Sequence, residues 1–489
     1  MLLGGLDVGT TGCKLSVYDD KGNFIANSYR EYNVTRKSGA HEVDAEMIFE
    51  AVCTVISDIA AEHDVAAIGV TSFGETFAML DENDNVLPPS MLYTDPRGED
   101  EVKELCDKVG YDRLIYITGA KPHQMYSIPK LMWIKKNLPE TFAKVKKILL
   151  IEDYIVYKLS GKRTMNYSLA ARTMALDIRN MCWSREILDA AGIDENLFST
   201  LVPAGHLAGD ILPEMAEKLG LSKNTKIINS AHDQVATAVG CGVFEVGQAV
   251  DGTGTVECVV PVFDGIPENP ALYEDGYSIV PHVFDGKYVC YAVNYTGGAA
   301  IKWFRDNLSA EKSYKKLDES VGDAPTGILV MPHFAGAANP YMDISSKAAI
   351  VGLGIEHSGA DVYKAMMEGV TYEIMLNVEH LGNCGIKPKK LYATGGGATS
   401  KVWMQIKADI LDREITSVCA KEVGACGTCM LVGVAVGLYK DLYEAKEYFV
   451  KENKTVAPNK ENAATYAKYY NAYKKIYSAV RPIVEELKK

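Results

Sequence analysis

The residues best suited to chemistry fall in a few short stretches. Ser230-Ala231-His232-Asp233-Gln234 ends the apolar, strand-like run Lys226 to Asn229 and precedes a small-residue stretch, Val235 to Gly242. A carboxylate where a strand gives way to such a stretch lies at the mouth of an α/β layer, where ligand clefts form. Asp233 is therefore a candidate general base, with Gln234 beside it to orient a substrate by hydrogen bonds. An Asp ahead of an apolar helix serves more often as an N-cap, so this signal does not stand alone.

Three glycine- and threonine-rich turns add to it. Asp7-Val8-Gly9-Thr10-Thr11-Gly12 lies between two strand-like runs, with Lys14 close behind. Its glycines let backbone N–H groups approach an anion, and Thr10 and Thr11 add hydroxyls. Asp7 would aim its carboxylate at the same place, which suits a hydrated Mg²⁺ between protein and phosphate. A plain hairpin turn has much the same composition. Asp251-Gly252-Thr253-Gly254-Thr255, followed by Val256-Glu257-Cys258, echoes the Asp, Gly and Thr character of this turn near the start of the second half. The echo covers only about eight residues and weighs little by itself.

The third turn, Thr394-Gly395-Gly396-Gly397-Ala398-Thr399-Ser400, joins a strand, Lys390 to Ala393, to a helix, Trp403 to Leu411. Three consecutive glycines let a flat group lie on the backbone, and folding alone explains them poorly because each costs conformational entropy. Together the turns are suited to the phosphates and base of a nucleotide. On the acceptor side, Glu75 at a strand end could bind sugar hydroxyls, or could be a surface turn residue. Tyr93 to Arg97, with Asp95 in it, closes another strand and offers a further polar contact.

Bulk properties frame these candidates. A chain of 489 residues exceeds the roughly 250–300 residues one core supports, so two or three domains are expected. A formal charge of −13 argues against general nucleic-acid binding and against docking on anionic membranes. Met1-Leu2-Leu3 lacks a preceding basic segment, so no secretory signal is expected, and no apolar run is long enough to cross a bilayer. The 11 cysteines have no framework spacing, which fits reduced thiols and a cytoplasmic location. Cys426-Gly-Thr-Cys429 is formally a redox or zinc spacing, but without a second pair the better reading is small residues at a packed helix start.

The elements that must position the candidates follow in order. Helix is expected from Asp44 to Ala61, a buried strand from Val65 to Ser72, and an amphipathic helix opening at Tyr126-Ser127 with Ser127 as cap. Lys162 to Gly209 reads as a polar insertion covering one side of a cleft. The domain boundary is placed at residues 244/245, giving halves 1–244 and 245–489. A stripe of tyrosines from Tyr466 to Tyr477 at helical spacing should pack on the second domain.

The four motifs quoted so far, with three more, resemble the FGGY carbohydrate kinase family over essentially the whole chain. They are DVGTTGCK (Asp7 to Lys14), MYSIPKLMW (Met125 to Trp133), AHDQ (Ala231 to Gln234) and DGTGT (Asp251 to Thr255). TGGAAIKWFRD (Thr296 to Asp306), AAIVGLGIEHSGADVYKAMMEG (Ala348 to Gly369) and GGGATSKVWMQIKADIL (Gly395 to Leu411) complete the set. The resemblance implies an α/β fold of two ribonuclease H-like domains, the architecture of actin, hexokinase and the heat-shock ATPases. ATP and Mg²⁺ would bind in the cleft between them. By position Asp233 is implied as catalytic base and Asp7 as the Mg²⁺ residue. Thr10, Thr11, Lys14, Gly252, Thr253, Gly297 and Gly298 would lie near the phosphates, and Gly395, Gly396, Gly397, Ala398 and Ser400 would frame the adenosine. Gly74, Glu75, Asp95, Met125, Asp233 and Gln234 are implied on the sugar side.

The likeness loosens around the acceptor. Thr71 to Thr76 resembles the stretch in which glycerol kinases carry Thr-Asn-Gln-Arg-Glu-Thr, yet Gly74 stands where their arginine would be. Xylulokinases place Gln-Met-His across residues 73–75, which is not matched either. The wording around Met125 to Trp133 is more like the pentulose kinases, so a ketopentose is expected, with glycerol or another polyol as the alternative acceptor. An actin- or chaperone-like ATPase switch and a sugar sensor without turnover are the rivals from other classes. Asp233 with Gln234 and Glu75 speaks for a small-molecule acceptor. A homodimer is left open.

Overall fold

The structure, a computed structural model, describes residues 1–37, 39–418 and 421–487. It divides into two compact units. The first comprises Met1–Gly242 with two returns of the chain, Ile279–Val289 and Ala420–Lys451. The second comprises Val243–Ser278, Cys290–Cys419 and Glu452–Lys489. The division falls two residues before the expected boundary, and the expected second half lends two segments to the first unit.

The first unit is built on a six-stranded sheet. Its strands are β1 (Leu2–Val8), β2 (Gly12–Asp19), β3 (Phe24–Glu31), β4 (Val65–Ser72), β5 (His206–Asp210) and β6 (Lys226–His232), in the order β5-β6-β4-β1-β2-β3. β1 runs antiparallel to β2 and parallel to β4, β4 is parallel to β6, and β5 closes the edge antiparallel. Covered on both faces, β1 and β4 read as near-continuous apolar runs rather than alternating ones. Helix α1 (Ala45–Ala60) lies over the sheet, its Ile48, Val52, Val55, Ile56 and Ile59 buried with Leu6, Leu15 and Ile68 in one core. Asp44 caps it, accepting from Glu46 N at 2.9 Å and Met47 N at 3.3 Å. β6 leads directly into helix α2 (Asp233–Gly240).

The second unit repeats this plan. β7 (Gln248–Thr253) is antiparallel to β8 (Glu257–Asp264) and parallel to β9 (Lys390–Gly395). β9 is parallel to β10 (Ile415–Val418), and β11 (Glu452–Val456) closes antiparallel. Strand for strand, β8-β7-β9-β10-β11 matches β2-β1-β4-β6-β5 in order and direction. The eight-residue echo in the sequence is thus the visible part of a duplicated ribonuclease H-like sheet.

Long helix α3 (Gly359–Asn383) and helix α4 (Lys401–Leu411) build the core of the second unit. The tyrosine stripe packs there as expected, with its hydroxyls satisfied by carboxylates. Tyr466 donates to Glu368 at 2.7 Å, Tyr473 to Glu373 at 2.5 Å and Tyr477 to Asp343 at 2.9 Å. Each ring buries its apolar body while its hydroxyl keeps a partner. Among the described residues no helix is long and apolar enough to cross a membrane.

Candidate active site

Asp233 is the first residue of α2, so it sits at the carboxyl end of β6 beside the ends of β1 and β4. His232, not Asp233, holds the N-cap position, and no side chain caps this helix. The capping explanation for the aspartate therefore falls away. Its helix is fixed by helix α5 (Val423–Ala435), which returns into the first unit. A Cβ on Gly427 would lie 1.9 Å from Ala236 O, and one on Gly240 would lie 2.0 Å from Val423 O. The two backbones touch because neither residue has a side chain. Cys426 and Cys429 are buried in this seam, and burial pushes both thiols upward, Cys426 to about 12. They are packing residues, as the small-residue reading held.

Three carboxylates share the first unit's site. Burial raises Asp233 to about 7, with the negative charges of Asp7 and Glu75 adding to it and a backbone hydrogen bond from Gln234 and the charge of Arg172 opposing. The side chain is 31 % exposed, yet its Oδ1 is sealed from solvent and accepts no hydrogen bond. His232 Nδ1 stands 3.3 Å from that oxygen. Burial, and then Arg172, hold the imidazole well below its ordinary range, so it is neutral and leaves the aspartate's charge uncompensated. Burial also lifts Asp7 to about 6, with Lys14 lowering it and Glu422 raising it. A general base poised near neutrality is what burial and like charge produce here.

Asp7 offers hard oxygen donors where a second carboxylate is within electrostatic range. Among the described residues no group of three or more acids, histidines or cysteines could cage a metal ion. A Mg²⁺ ion takes one or two carboxylates and completes its shell with waters and phosphate oxygens, so the Asp7 carboxylate is the group that would hold it.

Glu75 adopts φ 66°, a left-handed conformation uncommon outside glycine. Ser127 Oγ holds it there by donating to the Glu75 carbonyl at 2.6 Å. Ser127 is thus the first residue of its helix and a brace for Glu75, while Tyr126 takes the cap position it was expected to fill. Glu75 is buried against Arg172, a residue that sequence reading missed inside its supposed insertion. Gly74 sits between them: a Cβ there would lie 2.7 Å from Arg172 Cγ. That close approach leaves no room for a side chain at this position.

Asp95 departs from expectation. Its carboxylate accepts from His41 N at 2.7 Å, Arg97 N at 2.9 Å, Arg97 Nε at 2.9 Å and Arg97 Nη2 at 2.6 Å. All its acceptor sites are committed, so it anchors the loop and has no lone pair left for a sugar. Met125 and Gln234 are half-buried, and Met125 N donates to His123 Nδ1 at 3.1 Å. In the β1–β2 turn, Thr10 and Thr11 are accessible, and Lys14 pairs with Glu422 at 2.9 Å.

The second unit holds a separate cavity of about 720 Å³. Thr253, Gly254, Gly298, Gly396, Gly397 and Ser400 line one part of it. Ile301, Met367, Val402, Trp403 and Tyr363 supply an apolar wall, and Asp318 sits on the rim. Ser400 Oγ donates to Asp318 Oδ2 at 2.7 Å and caps α4 by accepting from Trp403 N at 3.1 Å. An apolar slot with a few convergent polar groups fits a purine nucleoside.

The glycines here divide into two kinds. A Cβ on Gly395, at φ 84°, would lie 2.4 Å from Thr253 O, and one on Gly397 would lie 2.6 Å from Thr253 Cγ2. Folding therefore explains these two, against expectation. Gly396 alone of the three would place a Cβ in open space. Gly297 and Gly298 likewise serve packing: their N–H groups donate to Thr255 O at 2.9 Å and Gly254 O at 2.8 Å, so those donors do not face a phosphate. Gly252 pairs across β8 and β9. Thr253 Oγ1 is spent internally, accepting from Lys407 Nζ at 2.6 Å and donating to Glu257 Oε1 at 3.0 Å. Ala398 lies in the turn, half-buried. Lys407, unforeseen from the sequence, ties α4 to the β7–β8 hairpin through Asp251 as well, at 2.6 Å.

Comparisons with known proteins agree with the two-unit α/β fold. The description "FGGY family of carbohydrate kinases" matches residues 2–240 by its N-terminal domain and 268–436 by its C-terminal domain. A xylulose kinase of Lactococcus lactis subsp. lactis is 28% identical over 499 residues, covering 99% of this chain and 98% of that protein. The solved structure of a ligand-bound xylulose kinase from Lactobacillus acidophilus superposes with a TM-score of 0.91 at 26% identity, covering 99% of both chains. A gluconate kinase from the same organism gives 0.89 at 26% identity, covering 98% of both chains.

Proposed function

Because this chain belongs to the FGGY family of carbohydrate kinases, we propose that it moves the γ-phosphoryl group of ATP to a primary hydroxyl of xylulose. The observation that carries the reading is Asp233, a carboxylate at a strand end with an unmatched oxygen and an affinity for protons near neutrality. It accepts the hydroxyl proton as the new O–P bond forms. Glu75 and Gln234 orient the sugar, and the purine lies in the second unit's cavity against Gly396. Asp7 would hold Mg²⁺, which when bound spreads the charge on the phosphoryl oxygens. The accessible hydroxyls of Thr10 and Thr11 serve the phosphates from the β1–β2 turn. The acidic balance and scattered thiols fit a cytoplasmic enzyme of small metabolites, as monomer or homodimer.

The choice of acceptor rests on the relatives named xylulose kinase, with gluconate as the second reading because a gluconate kinase is nearly as similar in structure. The test is ADP release from ATP with xylulose, other ketoses, aldoses, glycerol and gluconate as separate acceptors. Xylulose should give the highest kcat/KM. No ADP above background with any acceptor would sink the kinase reading.

Gly396 provides a test of the nucleotide side. Gly396→Val adds a branched side chain to open space, so folding should survive. The ATP dissociation constant should rise by about 10²-fold, the loss of one well-packed surface of the base. Calorimetry finding unchanged ATP affinity in the folded variant would make that turn structural only.

A further inference from the structure

The second unit carries a groove of about 1010 Å³ that the reaction described above does not use. It lies between the second half of α3, the end of α4 and helix α6 (Lys460–Tyr473). Its floor is apolar: Met375, Val378 and Ile410 meet Ala463 and Ala467 of α6. The rim is basic, in a chain whose formal charge is −13. Of the two acids there, Asp412 is taken by Lys460 at 2.8 Å, and Glu379 by Lys474 at 3.1 Å and by the Tyr470 hydroxyl. That leaves Lys387, Lys389 and Arg413 without an ion-pair partner among the described residues.

These three cations stand together. Lys387 and Lys389 flank Pro388, and Arg413 Nη1 donates to the Pro388 carbonyl. Both lysines are exposed, while Arg413 is half-buried. Burial lowers the Arg413 guanidinium against the weaker pull of Asp412, whereas a hydrogen bond to Glu186 raises that of Arg113. A partly dehydrated guanidinium without an anion is costly, and its planar fork of donors matches a pair of phosphate oxygens. Three positive charges on one rim call for more than one negative charge, and the apolar floor beside them calls for a hydrocarbon or a ring. The size matches the upper end of the roughly 300–1,000 Å³ of ligand clefts. The same two helices also serve the nucleotide cavity. Tyr363 and Met367 of α3 and Trp403 of α4 line that cavity, while Met375 and Ile410, further along each helix, line this groove. We propose that the groove is an effector site for an organic phosphate with an apolar body, held by Arg413, Lys387 and Lys389, and that its occupancy changes nucleotide affinity through α3 and α4. The coupling rests on the nucleotide site proposed above; the groove itself does not.

The probes are hexyl diphosphate and inorganic pyrophosphate, titrated by calorimetry into the full chain with ADP at saturation, so that the nucleotide cavity is already filled. Hexyl diphosphate should bind at least about tenfold more tightly than pyrophosphate, because its hydrocarbon lies on the apolar floor. R413Q should weaken it at least about tenfold and K387Q/K389Q about fivefold or more, with thermal melting showing the fold intact. In a separate titration the ADP dissociation constant should shift about fivefold or more when hexyl diphosphate is present, and that shift should vanish in K387Q/K389Q. No binding of hexyl diphosphate at up to about 1 mM would overturn the proposal. Unaltered affinity in K387Q/K389Q, whose side chains are exposed, would overturn it even if R413Q failed to fold. Equal affinities for the two probes would overturn the apolar body, and an unchanged ADP constant would overturn the effector role. If ADP itself did not bind, the nucleotide reading would fall, and the titrations of the groove and its variants would still decide this one.

Discussion

Asp233→Asn should lower kcat by about 10²–10⁴-fold while ATP affinity stays at the wild-type value, because a proton acceptor is lost and a shape is kept. The substitution is close to isosteric, and the helix it begins is held elsewhere, by the Gly240–Gly427 seam. Stability should therefore change little. Relief of the buried negative charge could even raise it slightly at neutral pH. Turnover within a few-fold of wild type, in protein that binds ATP normally, would remove Asp233 from the mechanism.

The same residue fixes a pH dependence. Asp233 works only when ionised, and burial with like charge holds its carboxyl at about 7. Activity should thus rise with pH along an acid limb centred near neutrality, measured as kcat/KM for the sugar. Asp7 is the largest charge raising Asp233. A cation beside Asp7 cancels that push, so the limb should shift to lower pH at saturating MgATP. A limb that stays in place with and without saturating MgATP would mean that Asp7 and the cation do not meet.

Much of this site was legible because it lies at strand ends, where local sequence carries it. Asp233 follows a run that could only be a buried strand, and the Asp7 and Asp251 turns announce two hairpins. The rest depends on residues brought together from far along the chain. Arg172 meets Glu75 across 97 positions, from a segment whose polar, irregular composition gave it no role. Lys407 sits inside a helix, where a lysine ordinarily faces solvent; its burial follows from two acids 156 and 150 residues earlier. Asp95 showed the right residue type at a strand end, but Arg97, two positions on, takes its carboxylate. Glycine misleads in a similar way. Gly395 and Gly397 are dictated by Thr253, a neighbour in the sheet that is 142 residues away from Gly395 in sequence (395 − 253). The return of Val423–Ala435 to the first unit was also invisible, since its small residues reveal close packing but not the partner.

Lys407→Met should destabilise the second unit by about 3–5 kcal/mol, the usual cost of stripping one partner from a buried ion cluster. Lys407 Nζ donates to Asp251 Oδ2 at 2.6 Å, to Thr253 Oγ1 at 2.6 Å and to Glu257 Oε1, and all these side chains are essentially sealed from water. Burial already raises the Glu257 carboxyl, with Asp251 pushing the same way and Lys407 pulling it back. Without the lysine the rise must be larger. A carboxyl whose folded-state proton affinity is raised adds stability below its ordinary range and loses it as pH climbs through the raised value. The deficit of the variant should therefore stay level up to about pH 8, the value to which the wild-type carboxyl is raised, and grow above it as the wild type ionises and the variant does not. Thermal melts on either side of that value read it directly. Adding Glu257→Gln removes the titrating group and should flatten the pH dependence while leaving part of the deficit. Through Thr253, which packs on Gly397, the loss should also reach the nucleotide cavity and weaken ATP binding at pH values where the fold survives. A deficit below about 1 kcal/mol, or one that does not change with pH, would show that the three polar groups find other partners and that Lys407 does not hold the hairpin.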